Sequence, residues 1–305
     1  MDTIFNKTHY RQVFYWFVAA ILVISQLLRY FVLPMFDENL GTSFLSFLAT
    51  IIDSFTISLL VTVIIGGFIF WITPELVKKS VMDVIAPKEI GPLLKKATSD
   101  SKTWIYKGAC GRYNRATTIP MMASAARQQG IGRDIRMTLL DPINEQLCDE
   151  YSIYRRSLKS AKYGSKWTKE KVQQEVIATV LSALRFKHEE PLLRIEIYLT
   201  NHFSAFRVDI SDEYAVVTKE DSDASGLRAD KSTYFYDSYL DDCRLCERQS
   251  KKVDYNHIIP LDGDLNSKNI VPIIEKVFNC EMQNLKDLEL DKIVAAINSP
   301  TDPYA

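Results

Sequence analysis

Two long apolar runs near the front of this chain restrict what it can fold into more than any other feature. Val13–Leu33 and Phe44–Trp71 are separated by a short polar loop, Pro34–Thr42. A helix of about 20 apolar residues spans the hydrocarbon core of a bilayer. Backbone polar groups in that core must be satisfied internally, which a helix does. The pattern predicts a two-helix hairpin over 1–73, with crossing segments at 13–33 and 50–72. A cleaved signal peptide would have a shorter apolar stretch and a small-residue cleavage site. The first run instead ends YFVLPMF, without an A-x-A.

Flanking charge gives the expected orientation. Lys7 and Arg11 precede the first run, and Lys78, Lys79, Lys88, Lys95 and Lys96 follow the second. The connecting loop carries Asp37 and Glu38 and no basic residue. Basic flanks stay on the cytoplasmic side, so both termini are expected inside a bacterial inner membrane, in a multi-pass arrangement. Tyr10, Tyr15, Trp16 and Trp71 fall where interfacial aromatics belong.

Inside the runs, two features stand out. Ser54, Ser58, Thr62 and Gly66 recur every four residues, a small-residue ridge that lets membrane helices approach closely. The ridge predicts helix pairing, either within the hairpin or between copies. Arg29 and Asp53 are the charges of the two runs. An intramembrane charge needs a partner or water. An Arg29–Asp53 pair and snorkelling of both to the outer interface are the two readings.

The chain has 305 residues and a formal net charge of −1. That near-neutrality hides a split. Basic residues dominate Lys95–Lys171, whereas Asp209–Asp242 is acidic. Such a division predicts either nucleic-acid or phosphate contact by the first half or pairing between the halves. Five cysteines are present, and a cytoplasmic location excludes disulfides as the expectation. Cys243-x-x-Cys246, with His257 and Cys280, is the available zinc set, but its spacing is irregular and its segment reads as helical. No metal and no cofactor is expected.

Beyond the hairpin, residues 74–101 read as an amphipathic juxtamembrane linker punctuated by Pro87 and Pro92. Residues 102–305 read as a cytoplasmic α/β domain with a mixed sheet. TWIYKG, DIRMTLLD and PLLRIEIYL are strand segments, and FRVDI and YAVVTK form a local antiparallel pair. Helices are expected at IPMMASAARQQG, Asn144–Leu158, Trp167–Lys187, Tyr234–Cys246, Asn266–Phe278 and Leu285–Ile297. Ser222–Lys231 reads as a loop, and the tail NSPTDPYA as loose.

Phosphate loops, H-E-x-x-H, G-x-S-x-G and the protein-kinase set are all missing. Gly108-x-x-Gly111 follows a strand, so its amides with Arg112 and Arg115 form a candidate anion or regulator contact. In HFSAFRVD, His202 and Asp209 have the spacing of the H-x-K-x-x-x-x-D motif of phospholipase D and related nucleases, with Ser204 in place of the lysine. Together with the TWIYKGACGRY and IRMTLLDP segments, this stretch resembles a degenerate phospholipase D-like fold over Lys102–Gln249. No second H-x-K is present. The resemblance therefore implies a copy that binds or senses, with no catalytic residues.

The hairpin, the cytoplasmic domain and the WIYKGACGRY…LLDPINEQLCDEYSIYRR stretch together resemble the two-transmembrane effectors of bacterial antiphage systems, those of retrons above all. That resemblance implies a non-enzymatic toxin held quiet by a reverse transcriptase and its RNA-linked single-stranded DNA. On release it would act on the lipid bilayer as a homo-oligomer and cause abortive infection. The rival readings are a membrane-anchored phospholipase D-like hydrolase or nuclease with His202 as nucleophile, and a passive tether for a partner complex.

Overall fold

Apolar periodicity at the front of the chain produces two helices, and alternation further on produces one sheet. The computed structural model describes residues 8–36, 43–72, 79–163, 166–255, 265–281, 285 and 288–304. The chain divides into two compact units, Met1–Lys78 and Lys79–Ala305.

In the first unit, helix α1 (Thr8–Leu27) runs through a π-helical turn, Leu28–Val32, into a last α-turn at Leu33–Phe36. Helix α2 covers Ser43–Ile72. Trp16–Met35 and Phe44–Phe68, 20 and 25 residues, are long and apolar enough to cross a membrane. The acidic part of the loop, with Asp37 and Glu38, lies outside the described residues, as do Lys7 and Lys78. The helices pack antiparallel along a narrow seam, where Val18, Leu33 and Ala49 are buried. Polar groups also meet in that seam. The Ser25 and Thr56 hydroxyls meet at 3.0 Å, and Arg29 Nε donates to Asp53 Oδ2 at 3.1 Å.

The second unit is an eight-stranded mixed sheet among the described residues, in the order β1-β7-β6-β5-β2-β3-β4-β8. Its strands are β1 (Asp83–Ile85), β2 (Thr103–Lys107), β3 (Arg133–Leu140), β4 (Leu193–Thr200), β5 (Phe206–Ile210), β6 (Tyr214–Lys219), β7 (Gly226–Asp230) and β8 (Lys251–Lys252). β2, β3 and β4 are parallel, in a register that sets Trp104 beside Ile135 and Ile135 beside Ile195. All other neighbours are antiparallel. Side chains alternate across the sheet, which divides the core. Trp104, Tyr106, Ile135 and Met137 join one cluster with Val176, Ile177 and Leu181 of a helix on that side. Ile105, Val208 and Ile210 join a second cluster with Tyr236 and Cys243.

The helices of this unit are α3 (Pro87–Asp100), α4 (Ile119–Gln129), α5 (Glu145–Ser157), α6 (Lys169–Glu189), α7 (Tyr234–Gln249), α8 (Ile270–Phe278) and α9 (Leu290–Asn298). Helix starts follow the capping rule. Asn144, Thr168 and Thr233 each accept a backbone N–H of the first turn. Gly130 closes α4 at φ 64°, the left-handed conformation that favours glycine.

Three expectations are corrected here. The expected linker 74–101 is, from residue 79 on, part of the α/β unit, because β1 pairs with β7 and α3 buries Ile90, Leu94 and Ala97 in the core. Residues 74–78 lie outside the described residues. Pro87 opens α3 at its first turn, where a missing N–H costs nothing, and Pro92 is carried inside the helix. Ser222–Lys231 is not only a loop, since Gly226–Asp230 forms β7. The tail is not loose up to Tyr304, because Asp302 pairs with Lys95 at 2.9 Å and Tyr304 packs inward.

At the β4–β8 edge, Glu196 accepts from Lys252 Nζ at 2.8 Å and Arg194 at 3.0 Å. Those donors, Lys252 foremost, hold its carboxyl down to about 2. An acid with a depressed folded pKa stabilises the fold above its ordinary range and loses that contribution as pH falls through the folded value. Glu196→Gln should therefore cost up to about 1 kcal/mol at neutral pH. Urea melts should show the gap to the unaltered chain closing between pH about 4.5 and about 2.

Candidate functional site

The turn after β2 decides what stands at this end of the sheet. Gly108 donates its N–H to Thr138 at 3.1 Å. A Cβ there would overlap the Tyr106 hydroxyl and come within 3.0 Å of Arg207 Cγ. Gly111 has φ +65°, and a Cβ would meet Leu139 at 2.8 Å and Thr179 at 2.9 Å. Both glycines are thus required by close packing and, at Gly111, by the left-handed backbone.

The turn opens into a cleft of about 330 Å³. It lies at the carboxyl end of β2, the amino end of β5 and the carboxyl end of β6. Tyr106, Arg112, Tyr113, Arg155, Trp167, Arg207, Lys219, Glu220 and Tyr304 line it. Arg207 is buried and donates to Asp209 at 2.9 Å, and its other arm donates to the Tyr304 hydroxyl. Arg207 and Asp209 share a face of β5 because they are two residues apart on a strand. Arg155 donates to the Glu220 carbonyl and to its carboxylate at 3.0 Å. Around Trp167, the Arg155 guanidinium lies 4.6 Å, Lys171 Nζ 5.0 Å and the Arg112 guanidinium 6.0 Å from the ring centre. An indole face attracts cations in this range.

The sequence-derived candidates separate in space. Arg112 faces the cleft. Arg115 does not, since it is buried on Glu175 at 2.6 Å and on Thr179 at 3.1 Å. It ties the π-helical turn Asn114–Thr118 to α6 and is a structural ligand, not a free anion contact. His202 is exposed beside Thr200 Oγ1 at 2.9 Å and Cys246 Sγ at 3.8 Å. It does not line the cleft. Ser204 accepts the Phe206 N–H at 3.1 Å. Asp209 serves Arg207. His202, Ser204 and Asp209 therefore share a spacing and not a site, because the strand that holds Asp209 begins only at Phe206.

Two of the buried cysteines are poorly suited to act as nucleophiles. Burial pushes the Cys110 thiol well up, away from the thiolate. Cys243 is buried in α7 with its thiol pushed up to about 12, again by burial. Among the described residues, no three His, Cys, Asp or Glu side chains stand together as metal ligands. His257 lies outside the described residues.

In the hairpin, Ser54, Ser58, Thr62 and Gly66 are exposed, and open space surrounds the Gly66 Cβ position. The ridge is not the hairpin seam, which corrects the within-hairpin reading. Arg29 and Asp53 are ion-paired across that seam.

The functional residues missed from sequence are Arg155, Trp167, Arg207 and Tyr304. The period-two spacing of Arg207 and Asp209 was the available signal for one of them. The others meet only in three dimensions.

No family model matches the chain, and no curated protein matches it. Among the solved structures similar at low level are the following two. One is TrmBL2, an archaeal chromatin protein described as showing a novel mode of DNA binding. It is 10% identical, over 68% of this chain and 69% of that one, with a TM-score of 0.32. The other is Nuc, a phospholipase D family member from Salmonella typhimurium. It is 10% identical, over 57% of this chain and 99% of that one, with a TM-score of 0.31.

Asp209→Asn should destabilise the fold by about 3–5 kcal/mol, because it strands a buried guanidinium. His202→Ala should change stability by less than about 0.5 kcal/mol, as at other exposed positions. Paired denaturant melts of the two variants check both, and a large loss at His202 would contradict its placement outside the core.

Proposed function

We propose that this chain is a membrane effector whose hairpin enters the bilayer and whose α/β domain controls it. The observation that carries this reading is the outward face of the hairpin. Phe44, Phe47, Phe55, Ile57, Ile64 and Phe68 on α2, with Trp16, Phe17, Tyr30 and Phe31 on α1, are all exposed. Soluble proteins rarely expose contiguous apolar surface beyond a few hundred Å². Lipid is the solvent that such a face suits, and both termini then lie on the cytoplasmic side with the basic flanks.

A polar seam turned inward also favours this reading. An Arg or Asp at mid-membrane costs about 2.5–3.5 kcal/mol when alone, and the Arg29–Asp53 pair offsets that cost within one chain. One hairpin encloses no pore, so disruption of the inner membrane requires a homo-oligomer. The exposed ridge Ser54, Ser58, Thr62 and Gly66 is the close-approach surface for it. The sequence resemblance supplies the wider setting: a retron-type antiphage toxin, restrained by a reverse transcriptase with its RNA-linked single-stranded DNA, that acts by abortive infection. The α/β domain is the degenerate phospholipase D-like part and works by binding, not by catalysis. His202 on the protein surface, away from the cleft, favours this over the hydrolase rival.

Induction of the chain alone in bacteria should collapse the membrane potential and halt growth, read with a potential-sensitive dye. Gly66→Leu should raise survival about tenfold or more by blocking close approach. His202→Ala should stay toxic. Normal growth with an unchanged potential at full expression would overturn the proposal.

A further inference from the structure

We propose that the cleft beside Trp167 is a binding site for a mononucleotide, and that Tyr304 holds the place of its base in the unliganded chain. This inference does not depend on the hairpin entering a bilayer.

Size limits the ligand first. At about 330 Å³ the cleft lies at the small end of ligand sites, which run from about 300 to 1,000 Å³. It has room for one nucleotide and not for a threaded polymer. The second limit is the way Tyr304 is seated. Its ring centre lies 5.2 Å from that of Tyr113, edge to face, and 5.3 Å from the Arg207 guanidinium. Its hydroxyl accepts from Arg207. A flat ring between an aromatic edge and a guanidinium, with an acceptor at its far end, is the environment a nucleobase takes.

Cations supply the third limit. Trp167 holds Arg112 and Arg155 near its ring. Both arginines already face a carboxylate: Arg112 Nε lies 3.5 Å from Glu175 Oε1, and Arg155 donates to Glu220 at 3.0 Å. Lys219 stands on the same wall, exposed at the end of β6. Two guanidiniums beside one indole, with a lysine on the same wall, match a phosphate group in charge and geometry. Glu220 pairs with Arg155 and Glu175 with Arg112, while Asp221 accepts the Asp223 N–H at 3.3 Å. A phosphate therefore competes with two carboxylates for these guanidiniums and meets Lys219 beside them.

The tail is an occupant that can leave. Residues 301–304 belong to no helix or strand. Asp302 is held by Lys95, a half-exposed partner, at 2.9 Å, and such surface pairs are weak in water. Displacement of Tyr304 frees the Tyr113 ring and one arm of Arg207 together, so ligand binding and release of the tail are one event.

The test is a titration of the full chain in detergent micelles with AMP, read by heat and by tryptophan fluorescence. Inorganic phosphate and a short single-stranded oligonucleotide serve as parallel probes. AMP should bind at one saturable site, more tightly than inorganic phosphate. Tyr304→Ala should tighten it about tenfold, because the competing ring is gone and the open state no longer has to be selected. Arg112→Gln with Lys219→Glu should weaken it about tenfold or more. Lys219→Glu alone, at an exposed position, serves if the double variant melts early. AMP binding no tighter than phosphate, an affinity unmoved by Tyr304→Ala, binding of the oligonucleotide without AMP, or no AMP binding by Tyr304→Ala at millimolar concentration would each overturn the assignment. A chain that binds AMP yet leaves growth untouched would sink the effector reading and leave this site standing.

Discussion

A guanidinium taken out of water loses several kcal/mol of hydration, and the protein must return that through hydrogen bonds and opposite charge. Three buried arginines show how strongly this shapes the α/β unit. Arg133 points its donors at the carbonyls of Thr98, Ser99 and Ser101, at 3.1, 3.0 and 2.6 Å, and at Gln129 Oε1 at 2.9 Å. It thereby joins the end of α3 to the start of β3. Arg115 joins the turn after β2 to α6 through Glu175 and Thr179. Arg207 joins β5 to the tail through Asp209 and Tyr304. Each is a joint between elements far apart in sequence, and Arg207 is itself part of the cleft wall.

The same constraint disposes of much of the charge asymmetry. Lys107 pairs with Asp242 at 2.5 Å, Arg155 with Glu220 at 3.0 Å, and the backbone N–H of Lys102 donates to Asp212 at 2.6 Å. The basic stretch and the acidic stretch thus meet along the sheet. Of the two readings the charge split allowed, pairing between halves accounts for these residues. What is left is local: Arg112, Arg155 and Lys171 stand about the Trp167 indole, with Lys219 on the cleft wall. A patch that small suits one phosphate group better than an extended polyanion, whose binding rests on many contacts.

Legibility in the sequence followed the range of the interactions. Apolar runs and alternation are local, so both front helices, β2 to β6 and the helices from α4 to α7 could be read from spacing alone. β1 and β7 could not. Each is short, and DVI and GLRAD become strands only because they pair with each other and with β6. The site was harder still. Gly108 and Gly111 announce a tight turn, but the turn serves packing against Tyr106, Leu139 and Thr179. His202 and Asp209 matched a motif by count, yet a count does not know where a strand begins. Tyr304 lies far from Arg207 in the chain, and a terminal polar segment carries no pattern that points to its partner.

The hairpin divides its chemistry between two faces of α2, and that division has a consequence in lipid. Hydrocarbon gives helices no hydrophobic reason to associate, so contact is driven by close packing and polar pairing. The polar pairing is used up inside one copy, at Ser25–Thr56 and Arg29–Asp53. Close packing is not, because Ser54, Ser58, Thr62 and Gly66 face away from α1. A single hairpin in a bilayer would then be satisfied in its charges and unsatisfied in its shape. That combination permits a stable resting monomer and still leaves an incentive to assemble.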